Sequence, residues 1–253
     1  KKTKTDDKDR HSLLYLVVNC LSLFVFLNRF GELKMKNTVP QIIVTLVACL
    51  LVSVSADELF VTCGSAIKLE SSDTGYYLNS EEKQLGSGSG QQIVTFVQDK
   101  ATRNTLWWVR PAHTGDAREY PPEATCQLAE PVRCGQNIRL THVDTMRNLH
   151  SHNVKSPLSS QQEVSAFGTG DAKGDAGDDW IVECAGKYWM RDAIVRLVHD
   201  DTKKYLGTSH TTEFNQQTCG HNCPIMGHLE AFARRSADKY SEMKVHQGIH
   251  LSK

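Results

Sequence analysis

The chain has 253 residues, of which 29 are basic, 29 acidic and 40% hydrophobic, so its formal net charge is zero. Setting aside the 8 basic and 4 acidic residues of 1–56 leaves 21 and 25 in residues 57–253, a formal charge of −4. That balance holds no basic stripe to neutralise phosphates and speaks against a nucleic-acid partner. The length of 57–253 suits one domain with a sizeable core.

Two apolar runs come first. Leu13 to Leu27 is broken by Asn19 and Ser22 and flanked by charges. The chain begins at Lys1 and its first methionine is Met35, so residues 1–34 read as upstream sequence ahead of the true start, with a membrane anchor as the alternative. After Met35 and Lys36 come the apolar run Ile42–Val52 and the small residues Ser53-Val54-Ser55-Ala56. These are the basic, apolar and cleavage regions of a secretory signal peptide over 35–56, with a product beginning Asp57-Glu58-Leu59-Phe60. The apolar run is short for a membrane span.

Residues 57–253 repeat internally. Val61-Thr62-Cys63-Gly64-Ser65-Ala66-Ile67-Lys68-Leu69 returns as Val132-Arg133-Cys134-Gly135-Gln136-Asn137-Ile138-Arg139-Leu140, at an offset of 71 (134 − 63). A fainter third copy sets Val195-Arg196-Leu197-Val198-His199 against Ile138–His142 at an offset of 57 (197 − 140). The copies run about 57–133, 134–190 and 191–253. Ile67 and Leu69, Ile138 and Leu140, and Val195 and Leu197 alternate with Lys68, Arg139 and Arg196, a period of two that specifies half-buried strands. Each copy continues with a turn, a second strand at Tyr77, Asn148 or Tyr205, and a polar loop. The first two then show a third strand after Gln91-Gln92 or Gln161-Gln162 and a last strand bearing an aromatic, Trp107 or Trp180; Tyr240 is its expected counterpart in the third. Four short strands cannot bury themselves, so three copies predict a threefold closed all-β barrel, with a sandwich as the alternative.

Six cysteines follow residue 56, an even number behind a signal peptide. The first and last strands of a copy are expected to be antiparallel neighbours, so a cysteine ahead of the first meets one beyond the last. This predicts Cys63–Cys126 and Cys134–Cys184, each worth about 3–4 kcal/mol in the chain-entropy picture, and leaves Cys219–Cys223. Cys219, His221, Cys223 and His228 also have the donor types of a zinc site, and the secretory setting favours a disulfide or free thiols there.

Other motifs have plain readings. Gly86-Ser87-Gly88-Ser89-Gly90 lacks the Lys-Ser/Thr of a phosphate loop and reads as a turn. Asp171 to Asp179 lacks the spacing of a calcium loop and reads as a solvated acidic loop. His142 and His199 occupy equal positions after the first strand, which favours packing or turn closure, and no nucleophile motif accompanies the histidines. Arg139, His142, Asn148, His150 and His152 alternate with apolar Ile138, Leu140 and Leu149. Alternation turns them away from the core, which points to a hydrogen-bonding site for a protein partner or glycan; closure of the second turn is the alternative.

The runs Ile138-Arg139-Leu140-Thr141-His142, Arg147-Asn148-Leu149-His150-Ser151-His152, Ser156–Gly168 and Asp178-Asp179-Trp180 resemble the MIR repeat. This repeat is found in protein O-mannosyltransferases, inositol-trisphosphate and ryanodine receptors, and stromal cell-derived factor 2, and the runs resemble the last of these closely. The resemblance covers Asp57 to about Leu206 and, more weakly, the rest. It implies a β-trefoil of three MIR repeats in the lumen of the endoplasmic reticulum. It implies a non-enzymatic partner of a lumenal J-domain co-chaperone, acting on unfolded or O-mannosylated clients, with no cofactor. Animal members usually end in a tetrapeptide resembling H-D-E-L; here the last residues are His250-Leu251-Ser252-Lys253, so retention through a partner and secretion both stand as expectations. The competing reading is a lectin-like, glycan-binding trefoil; an enzyme ranks last.

Overall fold

Each copy folds into four strands, as its period-two alternation requires. The computed structural model describes residues 59–84, 88–113, 126–170 and 172–252. The upstream segment, the signal sequence with its cleavage point, Gly86, Ser87 and Asp171 lie outside the described residues. Lobe 1 holds β1 (Ala66–Ser71), β2 (Tyr77–Gln84), β3 (Gln92–Val97) and β4 (Trp107–Pro111). Lobe 2 holds β5 (Asn137–His142), β6 (Asn148–Lys155), β7 (Gln162–Phe167) and β8 (Asp179–Cys184). Lobe 3 holds β9 (Val195–His199), β10 (Tyr205–Gly207), a third strand split into β11 (Leu229–Glu230) and β12 (Phe232–Arg234), and β13 (Met243–Ile249).

The first and last strands close a ring of six antiparallel pairings. Within lobes, β1 pairs β4, β5 pairs β8 and β9 pairs β13; between lobes, β4 pairs β5, β8 pairs β9 and β13 pairs β1. Closure leaves the barrel no free edge. The second and third strands form hairpins that join in a triangle: Ile93 faces Ser165, Glu163 faces Phe232 and Glu230 faces Thr95. At the opposite end the segments between lobes bridge one another, Phe60 to Met190, Thr62 to Pro131 and Arg133 to Tyr188. A six-stranded barrel capped by three hairpins is a β-trefoil.

Each lobe sends matching residues into one core: Ile67, Leu69, Trp107 and Val109; Ile138, Leu140, Trp180 and Val182; Val195, Leu197, Met243 and Val245. The indoles of Trp107 and Trp180 donate to the carbonyls of Leu78 and Leu149, at 3.0 and 2.9 Å, so these large rings bury without an orphaned N–H. In lobe 3 the position expected for Tyr240 belongs to Met243. Tyr240 lies one turn earlier, in the 3-10 turn Lys239–Ser241, with the Arg234 guanidinium 5.1 Å from its ring. Cys63–Cys126, Cys134–Cys184 and Cys219–Cys223 are bonded, with Cα separations of 5.5, 5.2 and 5.2 Å. Bonding Cys219 to Cys223 removes the thiolates a zinc ion would need.

Candidate functional site

Side chains stitch neighbouring lobes in a repeated pattern. Gln92 Nε2 donates to Ser80 Oγ at 2.7 Å and Thr145 Oγ1 at 2.9 Å. Gln162 Nε2 does the same to Ser151 Oγ and Thr202 Oγ1, both at 2.8 Å. The threonine hydroxyl meets a ring nitrogen: Thr145 with His142 Nδ1 at 2.9 Å, Thr202 with His199 Nδ1 at 2.8 Å. On the far side each Nε2 faces a carbonyl of the preceding lobe, Asn104 or Gly177, at 3.0 Å. A carbonyl only accepts, so Nε2 carries the proton and Nδ1 accepts from the threonine. Both rings pack on the barrel tryptophans at 5.1 Å. Burial holds both imidazoles below their ordinary pKa, with the bonds to the carbonyls opposing. Packing and turn closure, expected for these two histidines, is what they do.

Lobe 2 adds a second polar network on β5 and β6. Arg139, His142, Asn148 and His150 do not form the exposed set that alternation suggests: their exposures are 8, 0, 0 and 4%. His142 is covered by its lobe 1 partners, and Arg139, Asn148 and His150 by the β7–β8 connection, which folds over the outer face of β5 and β6. Arg139 Nη1 and Asn148 Nδ2 donate to the Ala172 carbonyl at 2.8 and 3.4 Å, and Asn148 Nδ2 also donates to Asp178 Oδ2 at 2.9 Å. The acidic stretch does not simply face solvent. Asp175 and Asp178 form a capping box around the 3-10 turn Ala176–Asp178, and Asp178 is fully buried. Two glycines make the close approach possible. A Cβ on Gly174 would lie 1.7 Å from Asp178 Oδ2, and one on Gly177 would lie 2.4 Å from the His150 ring.

From Asp178 the network runs outward. His150 Nδ1 lies 2.9 Å from Asp178 Oδ1, and His150 Nε2 lies 2.9 Å from His152 Nδ1. His152 Nε2 reaches Glu163 Oε2 at 3.3 Å. Glu163 accepts from the backbone N–H of Ser89 in lobe 1, so the chain crosses the lobe boundary. Glu230 repeats the role in lobe 3, accepting from the N–H groups of Leu158 and Ser159 at 2.7 and 2.9 Å. Burial first, then neighbouring His150, holds the His152 imidazole down, with Glu163 opposing. On the other flank Arg139 Nη1 lies 2.6 Å from His113 Nε2, while the His113 backbone N–H donates to Asp179.

The five residues expected to form a site thus divide. His142 belongs to the lobe-stitching pattern. Arg139, Asn148 and His150 form a buried support, and His152, with 26% of its side chain exposed, is the outermost member. Asp175 and His113 share that rim, at 59 and 23% side-chain exposure. Sequence reasoning missed His113, Asp178 and Glu163. The signal for Asp178 was present as Asp175-x-x-Asp178 just ahead of Trp180, the spacing of a capping box. His150, Asp175 and Asp178 offer ligand atoms within 4.8 Å of one another, but both Asp178 oxygens already accept protein hydrogen bonds that an ion would displace. Nearby, a cleft of about 390 Å³ lies where lobe 2 meets lobe 1, lined by Ser80 to Lys83, Asn104, His142, Asp144 and Thr145.

Comparison with known proteins agrees with this architecture. The MIR domain family model matches residues 59–221. Human stromal cell-derived factor 2-like protein 1 is 40% identical over 191 residues, 76% of this chain and 78% of that protein. Bovine stromal cell-derived factor 2 is 40% identical over 197 residues, 78% of this chain and 85% of that protein. The crystal structure of the SDF2-like protein from Arabidopsis thaliana superposes with a TM-score of 0.66 at 34% identity, covering 77% of this chain and 98% of that one. The S. cerevisiae protein O-mannosyltransferase Pmt1-Pmt2 complex bound to the sugar donor matches with a TM-score of 0.62 at 26% identity, over 76% of this chain and 26% of that one.

Proposed function

This chain belongs to the stromal cell-derived factor 2-like family of MIR-domain proteins, and from that premise we propose that it is a non-enzymatic, protein-binding subunit of a chaperone complex in the lumen of the endoplasmic reticulum. The observation that supports the reading is the family match itself, about 40% identity to stromal cell-derived factor 2-like proteins over 76–78% of the chain. The site chemistry agrees with it. The lobe 2 histidines and carboxylates are spent on one another and on backbone groups, an arrangement that fixes a surface rather than frees a base. The proposed partner is a lumenal J-domain co-chaperone, and the proposed clients are unfolded or O-mannosylated proteins. The proposed contact surface is the rim of His152, Asp175 and His113, held from beneath by Arg139, Asn148 and His150.

The test is affinity capture from a secretory-pathway lysate, with the protein and its His152→Ala variant as baits. The expected result is recovery of a J-domain protein, reduced severalfold by the variant at nearly unchanged melting temperature. Recovery of no lumenal chaperone component would overturn the complex; equal recovery by both baits would move the contact away from this rim. A second reading, glycan capture, is favoured by the polar cleft beside Asp144 and by the mannosyltransferase likeness. Binding of O-mannosyl peptides that is lost on Asp144→Ala, with no chaperone recovered, would select it.

A further inference from the structure

The seam between lobes 2 and 3 gathers positive charge that the chain scatters. A groove of about 340 Å³ is lined by Asn153, Val154 and Lys155 at the end of β6, Ser160 to Gln162 at the start of β7, Lys204, and Arg234 to Ser236 after β12. Four of these residues are cations and none is an acid, on a domain whose formal charge is −4. Arg234 is the anchored one: its Nη2 pairs with Asp238 Oδ2 at 2.8 Å, and its guanidinium lies 5.1 Å from the Tyr240 ring.

The trefoil supplies its own control. By strand register, the corresponding seam of lobes 1 and 2 sets Gln84, Arg147, Phe167 and Gly168 where this one has Lys155, Lys204, Arg234 and Arg235. Over all the lining positions that seam carries two cations, Lys83 and Arg147, and one acid, Glu82, against four cations and no acid here, so the scaffold does not require the charge. Two groove residues, Gln162 and Arg234, also hold a buried atom without a partner; the glutamine's recurs as Gln92 Oε1 at the other seam, the arginine's does not. Gln162, 3% exposed, spends Nε2 on Ser151 and Thr202 and leaves Oε1 without a donor. Arg234 Nε is buried without an acceptor. A buried polar atom left unpaired is costly, and a ligand offering the missing group recovers that cost.

We propose that this groove binds a small phosphate monoester of a polyol, such as a sugar phosphate. The phosphate oxygens accept from Lys155, Lys204, Arg234 and Arg235, and a hydroxyl donates to Gln162 Oε1. The groove is too small for a polynucleotide, and a bare sugar leaves its cations unanswered.

Isothermal titration of the purified protein with glucose 6-phosphate, glucose and inorganic phosphate, at low and physiological salt, tests this. The expected result is saturable binding of glucose 6-phosphate that weakens with salt, weaker binding of phosphate, and none of glucose. The exposed pair Lys155→Gln with Arg235→Gln is expected to weaken binding about tenfold or more, the size of one or two lost charge-assisted hydrogen bonds, at unchanged melting temperature. No saturable binding of glucose 6-phosphate, or binding indifferent to the double substitution, overturns the site. Phosphate binding as tightly as the sugar phosphate overturns the role given to Gln162.

Discussion

The buried histidines decide how this molecule responds to acid. His142, His199 and His228 all sit below their ordinary pKa, in each case first because burial penalises the charged ring. His250 is pushed down to about 4, again by burial. A ring that takes a proton less readily folded than unfolded makes protonation favour unfolding. Its contribution is therefore complete above the unfolded value near 6.5 and is lost as pH falls through the lowered folded value. Urea midpoints are expected to be level between about pH 7 and 8 and to drop below about pH 6.5. His199→Gln keeps hydrogen-bonding groups near Thr202 and Gly177 but does not titrate, so its pH profile should be flatter than that of the parent. An identical slope in the two proteins would show that His199 does not set the acid limb.

Among the elements, the first turn of each lobe shows what a repeat conserves and what it tolerates. Gly75, Met146 and Lys203 hold matching positions, and all three have positive φ, 71°, 53° and 53°. Each closes its turn with an N–H to the carbonyl four residues back, on Ser71, His142 or His199, at 2.8–2.9 Å. Only glycine adopts that backbone without penalty. Lys203 is exposed, and its ion pair with Asp200 is a surface contact. Lys203→Gly should therefore stabilise by roughly 0.5–1 kcal/mol, strain relief outweighing the entropy of a looser unfolded chain. Chemical denaturation measures it, and a loss of stability would show that the turn is unstrained. The strands themselves were legible because alternation is local: Ile67, Ile138 and Val195 announce the same strand three times. The covering of β6 was not legible. Whether Asn148 and His150 meet solvent depends on a connection some 20–30 residues downstream, whose acidic composition suggests exposure until Asp175 and Asp178 are seen to cap a turn. The swap of Met243 for tryptophan was equally hidden, because Tyr240 advertises an aromatic one turn too early.

For the molecule as a whole, the offsets between copies foretold threefold closure, and closure determines which ends meet. β1 and β4 are hydrogen-bonded neighbours, as are β5 and β8, so the cysteines flanking them pair within lobes. The same logic ranks the three disulfides. Cys63–Cys126 and Cys134–Cys184 span 63 and 50 residues, whereas Cys219–Cys223 spans 4. In the chain-entropy picture the long loops are worth about 4 kcal/mol each and the short one about 2 kcal/mol. The short bridge does have a packing role: both its cysteines lie against a small cluster of Ile93, Phe214 and Ile225, apart from the barrel core. Ile93 holds the place that Glu163 and Glu230 hold in the other lobes, so an apolar contact there replaces a carboxylate capping a hairpin. Replacing Cys219 and Cys223 with serine should loosen that corner locally. Amide exchange is expected to rise over 214–228 while the barrel strands keep their protection and the melting temperature falls only modestly. Replacing Cys134 and Cys184 with serine should instead lower protection across the lobe 2 strands together and cost about twice as much stability. Equal losses from the two double variants would show that loop entropy is not what these bridges contribute and that the corner formed by lobes 1 and 3 is as integral to cooperative folding as the barrel.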